Sequence, residues 1–395
     1  MRILRNFVRR EKWRLRPFKR LVIPFRNVKR AAVGFSRSLT RNPLPTIEGS
    51  TVDYLQSRNF GAVEIYPPEP VRSLPHPFGN NGNNGNETES SEPARLFELK
   101  DIDFWARYGG CVITADNHLL ADLSPEVWGI ENHPLFSTIR LPKRQRLQGR
   151  MAICVTPEAS GNYYHWLIDL LPRVALVVGT RVKPDRVLVN GARAAYEQES
   201  LMALGLSPDR ILYADARHRF CVEEALIPSM DHWSRIVAPW KVRLLRKIRD
   251  GNLPGPNQRP RRIYISRQRA AVRRILNESN VLSVLERSDF KCIDMESVPW
   301  NEQVGLFSNA EIIIAPHGAA LANIAFCRPE TLIVEIGTRA GYREFYWRLA
   351  ASASLRYRFI EARLRAEPRR SELRAFENED MIVDEQALEE VLDQL

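Results

Sequence analysis

From Met151 to Val334 the chain repeats one pattern, a short apolar or β-branched run followed by a segment with helical spacing. Met151 to Val155 predicts a strand, Tyr163 to Val178 a helix, Arg186 to Val189 a strand, Ala194 to Leu204 a helix and Arg210 to Tyr213 a strand, a βαβαβ series. A second series follows. Ile263-Tyr264-Ile265, Lys291 to Met295, Ile312-Ile313-Ile314 and Leu332-Ile333-Val334 read as strands. Asn277 to Arg287, Asn301 to Asn309 and Ala319 to Ala325 read as the helices between them. Such short runs between helices favour parallel sheets buried on both faces. The expected fold is α/β, with two doubly wound domains facing each other.

A length of 395 residues exceeds what one hydrophobic core usually spans, so two domains and a tail are expected. The break Asp250-Gly251-Asn252-Leu253-Pro254-Gly255-Pro256-Asn257 serves as the linker. This divides the chain into a basic arm (1–45), an N-terminal domain (46–250), a C-terminal domain (251–365) and a helical tail (366–395). A small β region opens the N-terminal domain, with a strand over Asn59 to Tyr66 and a hairpin within Asp103 to Asp122. Residues 79–93, rich in Gly, Asn, Ser and Glu, are too polar to pack and form a loop. Asn86-Glu87-Thr88 inside it fits a glycosylation acceptor only by chance, because no secretion signal precedes it.

The net charge of +11 is misleading until it is located. Residues 1–41 carry fourteen Lys/Arg and one acid, leaving 44 basic and 46 acidic residues elsewhere. The body is nearly neutral, which argues against nucleic acid as a partner. The arm mixes its cations with Trp13, Phe18, Leu21-Val22-Ile23 and Phe25. That composition suits peripheral contact with an anionic membrane, where each basic residue contributes about 1 kcal/mol, and equally a solvated basic tail. No apolar run in the arm is long enough for a signal peptide or a spanning helix, so a cytoplasmic location is expected, at the inner membrane face if the arm binds lipid. Five scattered cysteines without a Cys-x-x-Cys pair fit reduced packing residues rather than a metal site.

The chain lacks Gly-x-Gly-x-x-Gly, a Walker-type Gly-Lys-Ser/Thr and Gly-x-Ser-x-Gly, which removes the usual supports for dehydrogenase, NTPase and hydrolase readings. In open α/β sheets ligands sit beyond the carboxyl ends of strands, so polar residues there carry weight. Ser266 and Arg267 follow Ile265; Arg267 offers a fork of donors matching a diphosphate, or is a surface arginine. His317, Gly318 and Ala319 follow a buried strand where a helix begins, a place where backbone N–H groups are free for phosphate and His317 either joins them or caps the turn. Glu335 sits inside an apolar strand and requires a partner, a ribose diol or a cation. His165 and Asp169, four apart on a helix, place a carboxylate beside an imidazole; they form a general base, or a cluster that pins the helix to its sheet. Asp101-Ile102-Asp103 resembles a metal-holding Asp-x-Asp, but it lies outside the α/β series and reads as solvated loop charge.

Taken together these residues resemble glycosyltransferase family 61, the capsular polysaccharide biosynthesis type. The resemblance rests on Asn162-Tyr163-Tyr164-His165-Trp166 with Asp169 and Pro172-Arg173, on Tyr264-Ile265-Ser266-Arg267, on Asn277-Glu278 and Glu302-Gln303, on His317-Gly318-Ala319 with Asn323 and Phe326, and on Glu335-Ile336. It implies a GT-B-like fold and an inverting transfer, without an essential metal or other cofactor, from a nucleotide sugar to a glycan or lipid-linked glycan. Ser266, Arg267, His317, Gly318, Ala319, Asn323 and Glu335 would then serve the donor, and His165 and Asp169 would face the acceptor. With no anchor or secretion signal, the chain is more similar to the family's bacterial branch, which builds surface polysaccharide. A nucleotide-sugar epimerase of similar fold and a non-catalytic donor-binding scaffold are the competing expectations.

Overall fold

A computed structural model describes residues 44–58, 62–79, 89–107, 109–126, 129–230, 236–252, 259–365 and 378–394. The basic arm up to residue 43, with its proposed membrane contact, lies outside the described residues. So do residues 80–88 of the polar loop with Asn86-Glu87-Thr88, linker residues 253–258, and residues 366–377 of the tail.

In chain order the strands are β1 (Thr46–Glu48), β2 (Val63–Tyr66), β3 (Ala94–Trp105), β4 (Val112–Ile113), β5 (His118–Leu120), β6 (Arg144–Ile153), β7 (Arg186–Val189), β8 (Ile211–Tyr213), β9 (Arg219–Pro228), β10 (Arg262–Ile265), β11 (Lys291–Ile293), β12 (Ile312–Pro316), β13 (Leu332–Gly337), β14 (Arg356–Glu361), β15 (Arg363–Leu364) and β16 (Met381–Ile382). The α-helices are α1 (Thr51–Gln56), α2 (Leu171–Gly179), α3 (Ala195–Ala203), α4 (Pro239–Asn252), α5 (Glu278–Glu286), α6 (Trp300–Asn309), α7 (Phe345–Ser352) and α8 (Glu385–Leu392). The chain divides into two compact units. One comprises the described residues up to 58, Glu98–Arg150 and Ala214–Ala225; the other comprises Ala62–Phe97, Met151–Tyr213 and the described residues from Leu226 onward.

In the first unit β5 pairs parallel with β1 and antiparallel with β4, which pairs antiparallel with β3. The hairpin expected within 103–122 is therefore present, its turn at Asp116-Asn117 placing Asn117 at φ 64. Trp105, Cys111, Leu119, Leu135 and Phe136 form this unit's own apolar cluster. The expectation for Asp101-Ile102-Asp103 is corrected here. The three residues lie in β3, and Asp103 is buried against the Arg219 guanidinium, whose Nε meets both carboxylate oxygens at 3.0 Å. A buried carboxylate is tolerable because this cation compensates it.

The second unit carries the α/β series. β6, β7 and β8 pair in parallel. The five strands β11-β10-β12-β13-β14 form an all-parallel sheet. Its faces separate by the two-residue period of a strand: Ile263, Ile265, Ile313 and Ile333 enter one apolar cluster, Tyr264, Ile314, Val334 and Ile336 the other. Burial on both faces is what the short β-branched runs imply. The order counted along the chain is 2-1-3-4-5, so successive crossovers leave the neighbouring strands β10 and β12 on opposite faces. That reversal opens a crevice beyond their carboxyl ends.

Sequence and structure part at several elements. β9, β14, α4 and α7 escape the sequence reading, and Asp250-Gly251-Asn252, read as the start of a linker, complete the last turn of α4. The helical signal was present, with Pro239 at its start and buried Trp240, Leu244, Leu245 and Ile248 at helical spacing. Among the described residues no helix is long and apolar enough to cross a membrane.

Candidate active site

The crevice between β10 and β12 opens into a cleft of about 430 Å³, lined among others by Tyr163, Ser266, Arg267, Trp300, Gln303 and Gly318. Arg267 leaves the tip of β10 and bends over the turn after β12. An added Cβ on Gly318 would stand 2.1 Å from Arg267 Nη1, so only a residue without a side chain admits the guanidinium there. Gly318 itself is extended (φ −177), and its role is space rather than backbone freedom. Arg267 and the turn after β12 thus meet at Gly318.

Arg267 is half-buried, and its hydrogen bond is to the Val272 carbonyl at 3.1 Å; its Nε has no partner, and among the described residues no carboxylate pairs with it. Burial, followed by the like charge of Arg273, lowers its pKa. A desolvated guanidinium without a counter-ion is a receptor for an anion. Arg273, further along the same loop, has φ 58, a backbone region that ordinary side chains enter at a cost of about 1–2 kcal/mol. At the opposite end Arg269 is paired with Asp294 at 2.8 Å.

The other donor-side candidates divide. Ala319 lines the cleft and opens the 3₁₀ segment Ala319–Phe326, whose first N–H groups have no carbonyl within the segment to bond. Ser266 lines it too, but its hydroxyl reaches both carboxylate oxygens of buried Glu278 at 3.1 Å, which also accepts from Tyr264 at 2.7 Å. Asn323 is fully buried behind the wall. It accepts from Tyr163 Oη at 2.5 Å and donates to Gln303 Oε1 at 3.1 Å, and Gln303 in turn holds the Met295 and Val298 carbonyls. His317 and Glu335 face away from the cleft, toward a separate small cavity. The His317 Nδ1 hydrogen-bonds Glu335, whose other oxygen accepts from Tyr357 at 2.7 Å. The required partner of Glu335 is thus the imidazole beside it, and the pair braces the turn that carries Gly318. Tyr346, edge-on to His317 at 5.1 Å, donates to the Gly318 carbonyl at 2.7 Å.

His165 lies outside the cleft, at the head of a π-helical turn, His165–Leu170. The Leu171 N–H reaches back five residues to Trp166, and Pro172 brings no N–H at all. A proline within a helix removes the next four-residue bond, and the widened turn is the local answer. Pro172-Arg173 has a second role: buried Arg173 donates to the carbonyls of Val155 and Pro228 at 2.8 and 2.7 Å, tying α2 to the ends of β6 and β9. The wide turn brings His165 Nδ1 to 2.7 Å from Asp169, while Nε2 faces the exposed Glu158 at 3.1 Å. Burial acts to lower the imidazole pKa, but the two carboxylates outweigh it and raise it to about 9. Tyr164 links the two regions, edge-on to His165 at 5.4 Å and to Tyr346 at 5.8 Å, with the exposed Phe345 ring at 5.2 Å.

Residues 163–334 match the model of the Glycosyltransferase 61 family. That span is a little less than half of the chain. It begins at the tyrosine that lines the cleft and covers His165, Asp169, Arg267, Gly318 and Asn323. A curated relative, the EGF domain-specific O-linked N-acetylglucosamine transferase of Drosophila melanogaster, is 32% identical over 111 residues, which are 27% of this chain and 21% of that protein. The chain therefore spans about a fifth of the length of that relative. Both matches are to glycosyltransferases.

Sequence reasoning missed Tyr163, Trp300, Gln303 and Glu278 as builders of the cleft. The local signals were Tyr163 within Asn162-Tyr163-Tyr164-His165-Trp166 and the pairs Asn277-Glu278 and Glu302-Gln303 in the resemblance; Trp300 had none. Gly318→Ala is expected to displace the Arg267 guanidinium and weaken binding of a nucleoside diphosphate by roughly ten- to a hundredfold, the range for losing a hydrogen bond to a charged group. Because Gly318 has an ordinary extended backbone, the melting temperature should hardly move; calorimetric titration beside a thermal melt checks both.

Proposed function

We propose that the chain is an inverting, GT-B-like glycosyltransferase that moves a sugar from a nucleotide donor to a glycan or lipid-linked glycan acceptor without an essential metal. In this reading the C-terminal domain (251–365) holds the donor and the N-terminal domain (46–250) serves the acceptor. The observation that carries it is Arg267, a half-buried guanidinium without a carboxylate partner among the described residues, aimed into a cleft at the sheet's switch point. The acceptor hydroxyl attacks the anomeric carbon, the bond from that carbon to the diphosphate oxygen breaks, and its electron pair leaves with the diphosphate. The hydroxyl proton passes to His165 Nε2. Arg267 and the free N–H groups at Ala319 would meet the charge that grows on the leaving diphosphate. Supporting a role in surface polysaccharide assembly at a cytoplasmic membrane face are the near-neutral body and the strongly cationic arm over residues 1–41.

The relative's name makes nucleotide-linked N-acetylglucosamine the first donor to test. In a thermal-shift panel of nucleotide sugars, one nucleotide series should raise the melting temperature by mass action, and Arg267→Gln should abolish the rise. Transfer with that donor should survive EDTA. Complete loss of activity, restored by Mn²⁺, would overturn the metal-independent reading. Among the described residues no cluster of three or more His, Cys, Asp or Glu is arranged to hold a metal ion.

A further inference from the structure

Asp169 is shared between two cations. Its Oδ2 meets His165 Nδ1 at 2.7 Å, and its Oδ1 faces Lys241 Nζ at 3.6 Å. Lys241 is the third residue of α4 and is only 2% exposed. Two independent effects oppose an ammonium there. Burial strips a strongly hydrated group of its water. The first turn of a helix also presents the positive end of the backbone dipole, which repels a cation. Its neighbours Trp240, Val242, Leu244 and Leu245 are apolar and buried, so the ammonium sits in an apolar stretch of helix. A leucine or methionine would fill the space at lower cost, as when buried ion pairs are replaced by apolar residues of similar volume.

We propose that Lys241 is a positioning residue of the transfer reaction. Anchored to Asp169 Oδ1, it fixes the carboxylate so that Oδ2 alone meets the imidazole, and it offsets part of the carboxylate charge so that His165 releases its proton more readily. The inference rests on the reading of His165 as the base. In each turnover Nε2 accepts one proton from the acceptor hydroxyl and must lose it to solvent before the next. Asp169 and Glu158, left uncompensated, would hold that proton on the ring. Among the described residues the charged groups paired with His165 are Asp169 from its own turn and Glu158 from the preceding loop; Lys241 acts on it through Asp169 from α4, and the Tyr164 ring stands edge-on to the imidazole.

The test follows His165 itself by NMR titration of its ring in the free protein, with kcat/KM against pH measured in parallel. Lys241→Met should raise the titration midpoint by roughly half a unit to one unit. The rising limb of the rate profile should move with it, giving a three- to tenfold loss of activity on that limb, and Lys241→Arg should restore both. An unmoved midpoint in a folded Lys241→Met protein overturns the proposal. Should that variant fail to fold, Asp169→Asn is compared with Asp169→Asn plus Lys241→Met, which removes both charges of the Asp169–Lys241 pair. Equal midpoints support action through Asp169, and a difference as large as that expected for the single variant overturns it. If instead the titration behaves as stated while the unmodified protein transfers no sugar from any donor, the fault lies with the transferase reading and not with Lys241.

Discussion

Arg267→Gln is expected to lower kcat/KM for sugar transfer by about a hundred- to a thousandfold, the loss typical of removing one preorganised donor from a developing negative charge. Stability should be unchanged or slightly improved. In the folded protein the guanidinium is drawn from water, makes its hydrogen bond to one carbonyl and has no carboxylate to balance it among the described residues. Removing an uncompensated buried charge relieves a cost and breaks no ion pair. Activity and stability therefore move in different directions, as expected where strain is kept for function. Arg267→Lys should recover only part of the loss, because a point charge cannot reproduce the two-pronged contact of a guanidinium with a diphosphate. Steady-state kinetics and a thermal melt on the three proteins decide the matter. Transfer at the unmodified rate in Arg267→Gln, with the fold intact, would remove the diphosphate from this cleft.

Strands and helices of the α/β series were legible wherever apolar period and length agreed. Arg186–Val189 needed no adjustment, and most other elements shifted by a residue or two. A strand buried on both faces writes its own signature, and so do the polar residues that end it. What fills the space beside those residues is a property of the packed chain. The sequence shows that Glu335 needs a partner, but the choice of His317 and Tyr357 depends on β12, β13 and β14 lying side by side in register. Asp103 looked solvated because its cation, Arg219, is 116 residues away. Lys241 was invisible for the same reason, 72 positions beyond Asp169 in an unrecognised helix. His165 and Asp169 were paired on the assumption of an ordinary helix. Their contact holds in a π turn, which hydrophobic spacing cannot distinguish from an α turn because it differs only in the backbone bond that Pro172 withholds.

The remaining large effect concerns His165, and its direction depends on pH. With the pKa raised to about 9, only about one imidazole in a hundred is neutral at pH 7 in the free protein. A base must be neutral to accept a proton, so transfer should accelerate as pH rises and level off above about 9, and Asp169→Asn should bring that limb toward the ordinary histidine value near 6.5. His165→Gln should flatten the limb and lower kcat/KM by about a hundred- to ten-thousandfold. Glu158, which meets Nε2, stands where the acceptor hydroxyl must bind. Its displacement by acceptor would remove one of the two carboxylates that keep the ring protonated, so the limb in kcat should lie below that in kcat/KM. Stability supplies an independent check without substrate. A histidine whose folded pKa exceeds its unfolded value stabilises fully below about 6.5 and loses that contribution as pH rises through the folded value near 9. The melting temperatures of the unmodified protein and His165→Gln should therefore differ most in mildly acidic solution and converge above pH 9. A gap that stays constant across this range, or a rate limb that persists in His165→Gln, would assign the proton transfer to another group.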